Sequence, residues 1–257
     1  MKHSADNPLQ KALRKKARAS KAQILARFFK TGPGQYGEGD IFIGVTMPEI
    51  RSRVRAHGHL LTEAQHLELI HSPVHEDRMA GLLIWAEQSK RADITVKKRI
   101  ARLTLQHRSA INNWDLVDVA IPDLLGPLLF VDDPLLVKTF TRFLRSKNLW
   151  ERRIALLATF YSIRQNRFDW TVSACQAVLG DTEDLIHKAS GWMLREAGKR
   201  DVSVLRSFLE RHSGVMPRTM LRYAIEKLPP AERKKWMTQK GRLATPKKSS
   251  LPATMRR

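Results

Sequence analysis

The stretch NWDLVDVAI, residues 113–121, sets a tryptophan, two aspartates and an apolar run at helical spacing. Four other stretches can be laid over it: HEDRMAGLLIW (75–85), WERRIALLATF (150–160), IHKASGWML (186–194) and RTMLRYAIEKL (218–228). Arg78, Asp118, Arg153, Lys188 and Arg222 then share one register, separated by 40, 35, 35 and 34 residues. Helices recurring at roughly 35–45 residues, two to a unit, are the signature of an α-solenoid of the HEAT or armadillo kind. The expectation is therefore an all-α chain of HEAT-like, armadillo-like repeats. Equivalent positions of such repeats line up along one face, commonly the concave one. That face would be a basic groove carrying four cations and one carboxylate.

Between the repeats the chain reads at helical period almost throughout. Leu9, Leu13, Ala17, Ile24 and Phe28 describe an N-terminal amphipathic helix, weakened at Lys21 and ended by Gly32, Pro33 and Gly34. Thr46 and Glu49 flank Pro48 with capping-box spacing, so a helix should start there. Leu136, Phe140, Phe143 and Leu144 form one further apolar stripe, and Ile154, Leu157 and Tyr161 another. IFIGV, residues 41–45, is the one segment with the alternation of a strand.

The 257 residues carry 46 Lys+Arg against 25 Asp+Glu, a formal charge of +21. From Arg233 to the C-terminus there are nine basic residues and no acidic ones, in a composition that reads as a disordered tail. The expected organisation is a repeat domain over 1–232 and a basic tail over 233–257. The body without the tail keeps about twelve positive charges, which makes nucleic acid the leading partner. A single cysteine, Cys175, excludes a disulfide framework and a Cys-rich zinc site. With no apolar leader and no run approaching ~18 apolar residues, secretion and membrane spanning are not expected, and a cytoplasmic location is.

Why would so basic a chain keep a carboxylate in its row of cations? Asn113 is read as an N-cap and Trp114 as the first helical residue, so the helix dipole accounts for Asp115. Asp118 lies too far in to cap, and sits one turn from Trp114 on the same face. Trp150 accompanies Arg153 at three residues, and Trp192 accompanies Lys188 at four. Indoles beside charges at a helix edge can stack on a nucleotide or attract a cation.

Over most of residues 20–228 the chain resembles the AlkD-type DNA alkylation repair glycosylases, which are built from HEAT-like repeats. The stretches that carry the resemblance are YGEGDIFIGVTMPEIR (36–51), INNWDLVD (111–118), ERRIALLATFY (151–161), IHKASGWMLREAGKRD (186–201) and MPRTMLRYAIEKL (216–228). The resemblance implies excision of cationic N3- and N7-alkylated purines, such as 3-methyladenine and 7-methylguanine, from double-stranded DNA in base excision repair. It also implies a bacterial-type enzyme that associates with the nucleoid through its DNA. By motif, Asp118 matches the catalytic aspartate, Trp114 and Trp192 the lesion-facing tryptophans, and Arg153 the arginine of the concave surface. Arg78, Arg153, Lys188 and Arg222 would meet phosphates. No metal or organic cofactor, no obligate protein partner and a monomeric state are expected.

The chemistry would answer the question of Asp118. Breaking an N-glycosidic bond develops positive charge on the sugar. A neutral purine leaves badly without a general acid, whereas an alkylated one is already cationic and departs neutral. One carboxylate then suffices to stabilise the sugar and orient water. Two rival readings remain: a noncatalytic HEAT-repeat protein that recognises bent or branched DNA, and a protein-binding scaffold. Elsewhere, PGQYGEGD (33–40) lacks the G-K-[ST] ending of a phosphate loop and reads as a connection between helices. His57, His59, His66, His71 and His75 form no metal-binding spacing. Cys175 lies in an apolar helix and reads as structural.

Overall fold

The computed structural model describes residues 7–238, and among them the chain forms fifteen α-helices and two short 3-10 turns. It divides into two compact units, with the boundary between Ala120 and Ile121. In the first unit lie α1 (Pro8–Arg14), α2 (Ala19–Phe28), α3 (Met47–His57), α4 (Glu63–Ile70), α5 (His75–Arg91) and α6 (Ile94–Gln106). The boundary falls inside α7 (Trp114–Leu124), two residues before Pro122. The second unit holds α8 (Gly126–Phe130), α9 (Pro134–Leu144), α10 (Leu149–Arg164), α11 (Asp169–Ala177), α12 (Asp184–Arg200), α13 (Val202–His212), α14 (Arg218–Ile225) and α15 (Pro230–Thr238).

The second unit shows the repeat plainly. α10 packs against α8 on one side and α12 on the other, and α12 packs in turn against α14. The intervening helices pack onto this series, α9 and α11 against α10, and α11 and α13 against α12. A helix flanked on most sides must be apolar nearly all round, and α10 is buried continuously from Arg153 to Thr159. The contact between α12 and α14 requires Gly191, where a Cβ would lie 2.4 Å from the Met220 carbonyl oxygen and 2.6 Å from Tyr223 Cβ. In the first unit α5 is the centre, packed by α1, α3, α4 and α6.

Two local expectations are corrected. The N-terminal stretch forms two helices, because Arg18 is extended and its N–H donates to the Ile43 carbonyl at 2.8 Å, a tertiary bond that interrupts the helix. Leu9 and Leu13 are buried as expected, but Ile24 and Phe28 are 50% and 61% exposed. IFIGV is not a strand: Ile41 makes a single bridge to Val74, and Gly44 then turns the backbone at φ +81°. A Cβ there would also meet the Arg18 carbonyl oxygen at 2.2 Å, so only glycine fits.

Two expected helix starts hold, and the expected tail is corrected at its beginning. α3 begins at Met47 with the Thr46 N–H donating to Glu49 at 3.0 Å, and α7 begins at Trp114. Residues 233–238 of the segment read as a tail complete α15, anchored by the buried Trp236. Residues 239–257 lie outside the described residues. No described helix is long and apolar enough to cross a membrane.

Candidate active site

Helix α7 sorts its own residues. Leu116, Val117, Ala120, Ile121 and Leu124 are buried in full, which leaves Trp114, Asp115, Asp118 and Val119 half-buried on the remaining face. Trp114 and Asp118 are thus one turn apart on a face open to solvent. Pro122 has no N–H to give the Asp118 carbonyl, its helical partner four residues back. The Trp114 indole N–H donates to the Tyr36 hydroxyl at 3.2 Å. Its ring stacks on Phe29 with centroids 5.0 Å apart, and Phe28 meets it edge-on at 5.9 Å.

The first turn of α5 supports this face. His75, Glu76, Asp77 and Arg78 are consecutive, ionisable and all buried. His75 Nδ1 lies 2.9 Å from Asp40 Oδ2, and its Nε2 lies 2.8 Å from Asp115 Oδ2. Glu76 accepts from the backbone N–H groups of Ile43, Gly44 and Val45. Asp77 accepts from Gln10, Arg14 and Ser72. Arg78 donates to Asp40, to Asn112 and to the carbonyls of Ser72 and Ala110. One helical turn therefore ties α1, the 40–45 loop and the start of α7 together. Burial by itself raises the Asp40 carboxyl, but the His75 hydrogen bond, the Arg78 charge and the Asn113 amide hold it below the usual range.

Sequence reasoning misses this cluster. Four polar residues at a helix start look like an exposed first turn, and spacing alone makes His75 one of five histidines without a metal pattern. Those histidines in fact go to different places: His66 bonds the Gly81 carbonyl at 2.8 Å, while His71 meets His107 edge-on. Asp115 has the helix-start location expected of it, with the Leu116 N–H at 2.8 Å, but also a partner 40 residues away in His75.

The remaining site residues belong to the second unit. Arg153 on α10 is 4% exposed, and its guanidinium donates to the Leu185 carbonyl in the first turn of α12 at 2.6 Å. Lys188, further along α12, pairs with Asp184 at 2.7 Å. Trp192, one turn on, donates to Glu196 at 3.1 Å and packs on Phe160 at 5.5 Å. Arg222 on α14 is exposed.

The register row therefore mixes two kinds of position. Arg78, at 5% exposure, and Arg153 are buried on protein partners, whereas Lys188, although paired with Asp184, and Arg222 reach solvent. The tryptophans fall into two groups. Trp85, Trp170 and Trp236 are core, and the three that accompany the row, Trp114, Trp150 and Trp192, are half-buried.

The described residues form an all-α fold of packed helices, with Trp114, Asp115 and Asp118 half-buried on one face of α7. The family model described as DNA alkylation repair enzyme matches residues 9–228, and the chain belongs to that family. The match runs from α1 to the end of the last register stretch and stops before α15. Among solved structures the chain is similar to a predicted DNA alkylation repair enzyme from Enterococcus faecalis. The two share 18% identity and a TM-score of 0.65, over 84% of this chain and 98% of that one. No curated protein matches. The family's work is the repair of alkylated DNA, so DNA is the substrate the membership implies.

Proposed function

We propose that this protein is a DNA glycosylase that hydrolyses the N-glycosidic bond of cationic N3- and N7-alkylpurines in double-stranded DNA. The observation that carries the reading is Asp118, a half-buried carboxylate one turn from the half-buried Trp114 in a chain of charge +21. The alkylated base leaves with the bonding electrons as a neutral purine. Asp118 stabilises the positive charge left on the sugar and orients the water that adds to it. Trp114 and Trp192 offer indole faces to the cationic base, a contact worth ~2 kcal/mol or more when desolvated. Lys188 and Arg222 meet phosphates directly. Arg78 and Arg153 act from buried positions, Arg153 by fixing the start of the helix that bears Lys188 and Trp192.

The test is incubation with duplex DNA containing 7-methylguanine and chromatography of the released base. Retention of the duplex without release would establish the noncatalytic, DNA-binding reading instead. Substrate choice supplies a second check, because leaving-group charge should matter before size. Uracil and hypoxanthine are neutral and need acid assistance, so they should stay in place, and their efficient release would rule this mechanism out.

A further inference from the structure

We propose that His75 is a positioning residue: bridging Asp40 and Asp115 as an imidazolium, it holds the first turn of α7 and so aims Trp114 and Asp118. The argument begins with hydrogen-bond capacity. Both ring nitrogens lie within 2.9 Å of carboxylate oxygens, and ionised carboxylates only accept. Both nitrogens must then donate, which only the protonated ring can do. A neutral ring would turn a lone pair toward one carboxylate.

The charges around the ring are few. Asp40 faces it from the loop before α3 and Asp115 from α7, while Arg78, on the same helix as His75, reaches Asp40. With the proton in place these four groups sum to zero, and its loss leaves one unbalanced negative charge. Glu76 and, from α2, Lys21 border the same open apolar pocket of about 270 Å³, Glu76 being engaged with the 43–45 amides. Phe29 and Phe42 pack on the ring and carry no charge. Burial pushes the imidazole down, but the bonds to Asp115 and Asp40 outweigh it and raise it above an ordinary histidine.

The geometry also says which contact yields when the proton leaves. Asp40 keeps Arg78 and Asn113, and its side chain is 3% exposed. The Asp115 side chain is 15% exposed and is next in sequence to Trp114. Asp115 therefore turns away, and the first turn of α7 loses its tie to α5.

The catalytic consequence rests on the glycosylase reading, whereas the conformational one does not, so the experiment separates them. In the full chain, NMR would follow the His75 ring and the Trp114 indole N–H across the histidine range. Both signals should titrate with one midpoint above the ordinary value of about 6.5. Release of 7-methylguanine should fall, as pH rises, at that same midpoint. In His75→Gln the indole signal should lose its pH dependence, and release should drop ~10-fold to a flat profile, the effect of a small misalignment. Asp115→Asn, which keeps an acceptor for the ring but removes a charge, should lower the midpoint even if the glutamine variant does not fold. An indole signal indifferent to the titration of His75, or a His75 neutral at neutral pH, overturns the proposal. Coupled titration in a chain that releases no base upholds the positioning role and removes the glycosylase reading alone.

Discussion

Asp115 and Asp118 are three residues apart on one half-buried helix face, yet their surroundings ask different things of them. Asp115 is tied to His75 and to the helix start. Asp118 lies beyond the capping positions, where a developing cation would give its charge a purpose. Asp118→Asn should lower base release by ~10²–10³, the scale of a lost electrostatic stabiliser, with affinity for undamaged DNA unchanged. Asp115→Asn should instead lower the melting temperature and cost only ~10-fold in release, a positioning loss. Kinetics and melting curves on the two variants check the division, and equal losses of activity would refute it. That Trp114 and Asp118 share a face was legible, because helical spacing fixes which residues of one helix lie together. The bridge from His75 to Asp40 and Asp115 was not, since it joins residues 35 and 40 positions apart.

At the scale of elements, the first turn of α5 makes the stability of the first unit depend on pH from both sides. His75 titrates above its unfolded value, so its contribution is complete below about 6.5 and is lost as pH rises through the raised folded value. Asp40 titrates below its unfolded value, so its contribution is present above about 3.9 and is lost as pH falls through the lowered one. Melting temperature against pH should therefore show a plateau between two declines. His75→Gln should flatten the alkaline decline, and an unchanged alkaline limb would count against this assignment. In the second unit, Gly191→Ala would press a methyl group against the Met220 carbonyl and Tyr223. Neither the backbone nor a packed Cβ can retreat cheaply, so the expected cost is about 1–3 kcal/mol, read from denaturant unfolding. A neutral substitution would mean that α12 and α14 can slide apart freely.

For the whole molecule, charge is the property with the longest reach. Lys and Arg side chains that neutralise phosphates release counterions, so affinity for DNA should fall steeply with salt. Helix α15 carries the buried Trp236, so a truncation that spares the fold must come after Thr238. Removing 239–257 takes away six basic residues, Lys240, Arg242, Lys247, Lys248, Arg256 and Arg257. The expected result is weaker nonspecific binding and a shallower slope of log affinity against log salt, by up to ~0.9 for each phosphate the tail no longer neutralises. Base release from 7-methylguanine duplexes should persist. If truncation abolishes all DNA binding in a filter or anisotropy titration, the binding surface lies in the tail and not in the body.

The sequence by itself determined the fold class, the order of the repeats, the start of α7 and the residues that share its open face. These follow from local rules: apolar residues at helical period, caps at helix starts, and a register that recurs every 34 to 40 residues. Only the tertiary structure decided what each charge in that register does. Arg78 and Arg222 hold equivalent positions, yet one is bonded to four protein partners and the other is exposed. The break between α1 and α2 has the same origin, a bond from Arg18 to Ile43 that no window of nearby residues contains. Periodicity records which way a residue points along its own helix. Whether a charge is solvated or paired depends on what another segment brings to meet it, and for α5 those segments come from residues 10 to 14, 40 to 45 and 110 to 115.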